Sequence, residues 1–97
     1  GTVAAKKYDI EARMPRDNEY REDVSCSNCT AYQACRLNIR VRDAHDFESK
    51  QWLHTLNSTA VATSRALRCI LENYQLEDGR VEVPKVLQPY MNGLEYL

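Results

Sequence analysis

The sequence predicts an α+β fold in which one main helix lies against an antiparallel sheet. Apolar and polar residues alternate near the start of the chain, over residues 36–42 and over residues 51–57, a pattern typical of half-buried strands. Over residues 60–74 the apolar spacing changes to threes and fours, the period of an amphipathic helix. Because 97 residues suffice for a single core, we assign residues 1–97 to one domain piece.

The first strand is predicted over residues 7–14, and Pro15 ends it. The turn residues Arg16-Asp17-Asn18 then lead into a second strand over residues 19–25, so the two strands are expected to form a hairpin. The apolar, half-buried side of the first strand consists of Tyr8, Ile10, Ala12 and Met14.

A short helix is predicted over residues 30–35, capped by Ser27 or Asn28. The alternation over residues 36–42 then predicts a strand with two different sides. Its core side consists of Leu37, Ile39 and Val41, and its opposite side of Arg36, Arg40 and Arg42.

The polar residues 43–50 are expected to form a mobile loop before the strand over residues 51–57. Ser58 or Thr59 is expected to cap the main helix, whose core side consists of Ala60, Thr63, Leu67, Ile70, Leu71 and Tyr74. Asp78-Gly79 ends the helical pattern. We then predict a brief extended piece at Val81 and Val83. A short helix over residues 84–87, interrupted by Pro89, is predicted to follow it.

Composition excludes several classes of protein. Thirteen Lys and Arg against fourteen Asp and Glu leave a net charge of -1, so no global basic field attracts nucleic acid. No apolar run approaches the roughly 20 residues that span a bilayer, and the first residues lack the apolar core of a secretion signal. We therefore expect a soluble protein with no membrane partner.

The four cysteines, Cys26, Cys29, Cys35 and Cys69, allow two disulfides by number. Nothing in the sequence marks the chain as secreted, so reduced thiols are favoured. The spacing Cys26-x-x-Cys29 is also found in zinc sites, but a structural zinc site needs four ligands, usually from two such pairs. Buried thiols are therefore favoured over a small zinc module.

Other polar residues suggest a ligand site only weakly. The arginines of residues 36–42 suit phosphate, although a solvated sheet face is the favoured interpretation. Glu22 and Ser25 together suit a hard cation bound to phosphates, but strict alternation places them on opposite faces unless a bulge intervenes. Arg65 lies away from the predicted core side of the main helix, and by spacing alone it is an ordinary exposed arginine.

Asn57 and Thr59 lie at the junction between the last strand and the main helix. The Asn57 amide sits where the strand ends, and the Thr59 hydroxyl serves either as a helix cap or as a ligand contact. Spacing alone leaves both alternatives open.

Longer segments of the chain resemble one family. Residues 55–65, Thr-Leu-Asn-Ser-Thr-Ala-Val-Ala-Thr-Ser-Arg, and residues 70–75, Ile-Leu-Glu-Asn-Tyr-Gln, resemble motif 3 of the class II seryl-tRNA synthetases. Residues 78–84 and 87–91 resemble the segment that closes their catalytic domain. Further matches in the same order are Ala5–Glu11, Tyr20–Glu22, Ser25-Cys-Ser-Asn-Cys29 and Arg36–Arg40.

The resemblance implies the C-terminal part of a catalytic domain that activates serine with ATP and Mg²⁺ and then transfers the seryl group to tRNA(Ser). Carried across residue by residue, it makes Arg65 the motif 3 arginine that holds ATP. It makes Glu22 and Ser25 contacts to ATP and its Mg²⁺, and it places Asn57 and Thr59 in the serine pocket.

Several positions depart from the family pattern. Ser58 and Ser64 stand where many relatives have glycine, and Ala31 and Cys35 replace an acidic and a basic residue. The family's motif 1, its motif 2 arginine and its tRNA-binding arm precede the matched region. The 97 residues are therefore expected to be a fragment or a truncated relative that is inactive alone.

For a full-length serine–tRNA ligase the resemblance implies a homodimer. We expect a cytoplasmic location, with the mitochondrial matrix as the alternative. The competing function is that of a truncated, non-catalytic relative with a structural or protein-interaction role.

Overall fold

The computed structural model describes residues 4–97, apart from the side chains of residues 47 and 49. In chain order the elements are β1 (Lys6–Met14), β2 (Glu19–Thr30), α1 (Tyr32–Leu37), β3 (Arg40–Asp43), β4 (Asp46–Trp52), β5 (Thr55–Ser58), α2 (Thr63–Asn73) and a 3₁₀ helix (Gln88–Met91). The strands form one sheet of order β1-β2-β5 and a separate β3-β4 pair. Antiparallel strands with one main helix confirm the predicted fold class.

The chain divides into two compact units. The first unit comprises residues 1–9 and 24–60, and the second comprises residues 10–23 and 61–97. The assignment of residues 1–97 to a single domain piece stays a prediction. Within residues 4–97, no helix combines the length and apolar character that crossing a membrane requires.

In the first unit, β2 continues beyond its predicted end and pairs antiparallel with β5, from Cys26 opposite Ser58 to Thr30 opposite Thr55. Ser27 and Asn28 therefore lie inside a strand, and the prediction that one of them caps the following helix is wrong. Ala31 occupies the N-cap position of α1 without a side-chain hydrogen bond. The Asn28 Oδ1 atom instead accepts the backbone N–H of Thr30 at 3.0 Å, where the register between the strands shifts.

The strand predicted over residues 36–42 is only half correct, because α1 takes its first two residues. Asn38 ends the helix with a φ of 56°, a left-handed conformation that asparagine tolerates better than most residues. The expected core side is also wrong, since Leu37 is 70% exposed and Val41 is 48% exposed. Among the residues of this unit whose side chains the structure describes, Cys29 and Ala34 are the buried hydrophobic ones.

Residues 43–50 form a tight turn and a strand rather than the predicted loop. The carboxylates of Asp43 and Asp46 accept the backbone N–H groups of His45 and Glu48, at 2.8 and 3.1 Å. Aspartate side chains that bond the backbone two residues ahead stabilise turns without glycine or proline. β3 and β4 therefore form a hairpin whose turn the sequence signals do not reveal.

In the second unit, the buried hydrophobic residues are Met14, Val81 and Val83. The backbone N–H of Val83 donates to the Glu95 carbonyl and the N–H of Leu97 to the Val81 carbonyl, both at 2.8 Å. The brief extended piece predicted at Val81 and Val83 is thus present and pairs with the end of the chain.

The apolar side predicted for β1 is covered only at its C-terminal end. Met14 is fully buried and Ala12 is half-buried. Tyr8 and Ile10 are each 65% exposed, so the expectation that they are half-buried is wrong.

The main helix begins later than predicted, because Ala62 rather than Ser58 or Thr59 occupies its N-cap position. Its covered side also differs from the predicted one. Ala66 and Ile70 are half-buried, whereas Leu67 and Leu71 are exposed. At the end of the chain, Pro89 lies in the first turn of the 3₁₀ helix instead of interrupting a helix, a position where its missing N–H costs no hydrogen bond.

Truncation of the fully buried Met14 tests this small core. Met14→Ala is expected to lower the free energy of unfolding by about 2–5 kcal/mol, since it removes buried methylenes and leaves a cavity. Met91→Ala is the matched control, because Met91 is 37% exposed and loses less buried surface. Urea denaturation of the longest natural protein that contains these residues measures both. Equal shifts of the midpoint would contradict the assignment of Met14 to the core.

Candidate functional site

Arg65 lies in the first turn of α2 and contacts β2. Its Nη1 atom donates a hydrogen bond to the backbone carbonyl of Glu22 at 2.7 Å, within the second unit. The start of the same helix is held by the backbone N–H of Ala62, which donates to the Asp23 carbonyl at 3.0 Å. A guanidinium has five N–H donors, and this side chain is exposed, so the hydrogen bond orients Arg65 while leaving donors for an anionic ligand.

Ser25, Asn57 and Thr59 lie in the first unit. The Ser25 carbonyl accepts the backbone N–H of Thr59 at 3.0 Å and the hydroxyl of Ser58 at 3.1 Å. Asn57 lies opposite Ser27 in the β2–β5 pairing. The end of β5 is therefore held against β2, with Asn57 and Thr59 exposed at that end.

The structure thus brings together Glu22 and Arg65 in the second unit, and Ser25 and Thr59 in the first. Strand β2 runs without interruption through Glu22 and Ser25. The register shift that it shows against β5 lies between Asn28 and Thr30. The bulge that would turn Glu22 and Ser25 toward one face, and the convergence of all five residues on one cleft, stay predictions.

Asp23 is a residue that the sequence pattern did not single out. Its Oδ1 atom is buried and has no hydrogen-bond partner among the described residues. A buried acceptor without a partner is costly and is often completed by an unseen water, ion or ligand. Carboxylate oxygens are also the ligands that Mg²⁺ prefers. The Asp23 carboxylate therefore fits a cation or a hydrogen-bond donor of a ligand. Hydrophobic periodicity does not reveal this unpartnered oxygen, because Asp23 is an ordinary polar residue in the strand pattern.

A cluster of charged residues fixes the second half of α2 within the second unit. The Arg68 guanidinium bonds the Asp17 carboxylate and, through Nε at 2.7 Å, the Glu72 carboxylate. Glu72 also accepts the backbone N–H of Arg16 at 3.2 Å. Asn73 donates to the backbone carbonyl of Arg13 at 2.9 Å. The helix that carries Arg65 is therefore anchored to the turn between β1 and β2.

The cluster changes the acidity of its members. The hydrogen bond from Arg68 holds the pKa of the Asp17 carboxyl below its ordinary value, and the charges of Arg68, Arg21 and Arg16 act in the same direction. The Arg68 hydrogen bond likewise lowers the pKa of Glu72. The hydrogen bonds that Arg68 donates to Asp17 and Glu72 raise the pKa of Arg68.

All four cysteines are free thiols: Cys29 is buried, Cys69 is half-buried, and Cys26 and Cys35 are exposed. Among the described residues no group of three or more His, Cys, Asp or Glu side chains is arranged to hold a metal ion.

The second unit also contains a cleft of about 350 Å³ near the end of the chain. Its lining residues are Glu82, Lys85, Gln88, Glu95 and Tyr96. None of the predicted site residues lines this cleft.

The comparisons with known proteins match this chain to one family. The family model described as "tRNA synthetase class II core domain (G, H, P, S and T)" matches residues 1–74. The chain is 91% identical over its full length to a serine–tRNA ligase of Methanocorpusculum labreanum and 78% identical to that of Methanospirillum hungatei. It spans 23% of the length of each of these relatives.

Solved structures agree with the sequence matches. The seryl-tRNA synthetase of Pyrococcus horikoshii, determined in complex with ATP, superimposes with a TM-score of 0.88 at 61% identity. That match covers 99% of this chain and 21% of the other. The cytoplasmic serine–tRNA ligase of Naegleria fowleri, in complex with AMP, gives a TM-score of 0.82 at 52% identity, covering 97% of this chain and 22% of the other.

The charged cluster on α2 predicts a pH-dependent stability. Because the folded pKa of Asp17 is lowered, its contribution is present above the ordinary value of 3.8 and is lost as the pH falls through the lower folded value. Asp17→Asn is therefore expected to lower the thermal midpoint at pH 7, and the difference from the unmodified protein is expected to shrink as the pH falls below 3.8.

Glu77→Gln, at an exposed carboxylate in the same unit, is the control and is expected to have little effect at pH 7. A difference between Asp17→Asn and the unmodified protein that stays constant down to acidic pH would show that Asp17 acts through packing rather than through its charge.

Proposed function

We propose, since this chain belongs to the tRNA synthetase class II core-domain family, that it is the C-terminal part of the catalytic domain of a serine–tRNA ligase. In this proposal the whole protein activates serine with ATP to seryl-adenylate and transfers the seryl group to tRNA(Ser). The identity to serine–tRNA ligases along the full length of the chain supports the amino-acid specificity. The complexes of the two structural relatives with ATP and with AMP support a nucleotide site.

The observation that carries the proposal is the placement of Arg65. Its helix is anchored at both ends, and its guanidinium is fixed by the Glu22 carbonyl at 2.7 Å. Adenylate formation gathers negative charge on the α-phosphate, and a preorganised guanidinium stabilises that charge without reorganising at the moment of reaction. We assign to Arg65 the role of holding the ATP phosphate and base.

The acidic residues of β2 support the Mg²⁺ part of the proposal. Glu22 and Ser25 are assigned contacts to ATP and its Mg²⁺, and the unpartnered Oδ1 atom of Asp23, which strand alternation places on the same face as Ser25, is a further carboxylate oxygen. Mg²⁺ is bound in proteins by one or two carboxylates together with substrate phosphates. When bound, the ion neutralises charge that develops on the phosphates.

Asn57 and Thr59 are assigned to the serine pocket. The ammonium and hydroxyl of serine require hydrogen-bond partners, and an amide and a hydroxyl supply both donors and acceptors. A site built to bond a hydroxyl rejects an analogue that lacks it, because its own polar groups are then left unpaired. The homodimer, the tRNA partner and a cytoplasmic location belong to the same proposal and rest on the resemblance to the family.

Arg65 is tested by serine-dependent exchange of pyrophosphate into ATP, measured on the longest natural protein that contains this chain. Arg65→Ala is expected to lower the exchange rate by about 100- to 1,000-fold, the usual effect of removing one preorganised donor. Arg65→Lys keeps the charge but loses the planar fork, so an intermediate rate is expected.

Arg80→Ala is the matched control, because Arg80 pairs with Asp78 at 2.7 Å and has no assigned role. Equal rates for Arg65→Ala and the unmodified protein would remove Arg65 from the site. If the unmodified protein showed no exchange, the competing function, a non-catalytic relative, would be supported.

The serine pocket has its own test. Asn57→Ala and Thr59→Ala are each expected to raise the KM for serine by about tenfold or more, because a lost hydrogen bond to a charged group costs about 1.5–3 kcal/mol. The KM for ATP is expected to change little. Thr55→Ala is the control for Thr59→Ala, because the Thr55 hydroxyl donates to Gln33 Oε1 at 2.7 Å in the first unit. A rise in the KM for ATP with an unchanged KM for serine would place Asn57 and Thr59 in the nucleotide site instead.

A further inference from the structure

The β3–β4 hairpin of the first unit places its basic residues on one face. Arg40 lies opposite Trp52 and Arg42 lies opposite Lys50, with Val41 opposite Gln51 between them. Residues directly opposite in an antiparallel pair point to the same side, and every second pair shares a face. We name Arg40, Arg42, Lys50 and Trp52 the basic hairpin face.

The contact between Arg40 and Trp52 supports this arrangement. The Arg40 guanidinium lies 3.9 Å from the centre of the Trp52 ring, and Trp52 is 37% exposed. A guanidinium stacked on an aromatic ring is held flat, and its N–H groups point outward at the edge. Such a group is suited to paired hydrogen bonds with a phosphate.

The carboxylates of the hairpin lie toward its turn. Asp43 and Asp46 accept backbone N–H groups of the turn, as described above. Glu48 is the third carboxylate; it precedes Lys50 by two residues on β4, so it lies on the same side of that strand, nearer the turn. The part of the hairpin where β3 and β4 pair in regular register carries the cations Arg40, Arg42 and Lys50.

From this arrangement we infer that the basic hairpin face binds the phosphodiester backbone of the tRNA during aminoacylation. The inference rests on the proposed function, which makes tRNA a substrate. An RNA backbone is favoured because phosphates at successive nucleotides match several cations along a ladder. The net charge of -1 is no obstacle, since these cations share one face of the hairpin.

The test compares tRNA binding with adenylation in the longest natural protein that contains this chain. The double variant Arg42→Glu with Lys50→Glu is expected to weaken binding of transcribed tRNA(Ser) by about tenfold or more. It is also expected to reduce the slope of log affinity against log salt concentration by about 1–2, roughly one for each phosphate that the protein no longer neutralises. Serine-dependent pyrophosphate exchange requires no tRNA, so its rate is expected to stay near that of the unmodified protein.

The matched control is Arg80→Glu with Lys85→Glu, which makes the same charge change in the second unit. A loss of tRNA affinity as large in the control as in the hairpin variant would overturn the inference, and so would an unchanged affinity and salt slope in the hairpin variant. If exchange fell in parallel with binding, the hairpin would have a structural role only. Arg42→Gln with Lys50→Gln, which removes the cations without adding carboxylates, checks this outcome.

A failure of the proposed function has a different signature. In that case the unmodified protein lacks serine-dependent exchange, whatever the hairpin variants do to tRNA binding.

Discussion

The backbone carbonyls of β2 hold the chain segment that follows β5. In the first unit the Ser25 carbonyl accepts from Ser58 and Thr59, and in the second unit the Glu22 and Asp23 carbonyls accept from Arg65 and Ala62. These bonds use backbone atoms of β2, so they depend little on which side chains the strand carries. The placement of Arg65 consequently depends on the β2 backbone at Glu22 and Asp23.

The anchoring of α2 explains how the exposed side chain of Arg65 is held in a fixed position before a ligand binds. A long side chain on a free helix loses considerable conformational entropy when it is ordered by a ligand. Here the bonds from Asn73 to the Arg13 carbonyl and from Arg68 to Asp17 fix the helix beforehand, and the Glu22 carbonyl fixes the guanidinium. Part of the ordering cost is therefore met during folding rather than during binding.

The sequence pattern predicted the antiparallel strands and the main helix, because periods of two and of three to four reflect backbone geometry. It failed where short polar side chains decide the outcome: Asn28 bonds the backbone at the register shift of β2, Asn38 ends α1, and Asp43 with Asp46 close the hairpin. Periodicity likewise identified an apolar side on β1 and on α2 without revealing which part is covered, since Ile10 and Leu67 are exposed. The five site residues were recognised through the family resemblance, and the buried oxygen of Asp23 was visible only in the structure.

The charged groups that anchor α2 are partly solvent-exposed, with the Arg68 side chain 40% exposed in its pair with Asp17. Mobile ions at physiological concentration attenuate such attractions over about 8 Å. Raising the electrolyte concentration therefore weakens the support of Arg65 along with any long-range attraction to polyanions. A protein built in this way is sensitive to its ionic surroundings at a cluster outside the five residues assigned to the site.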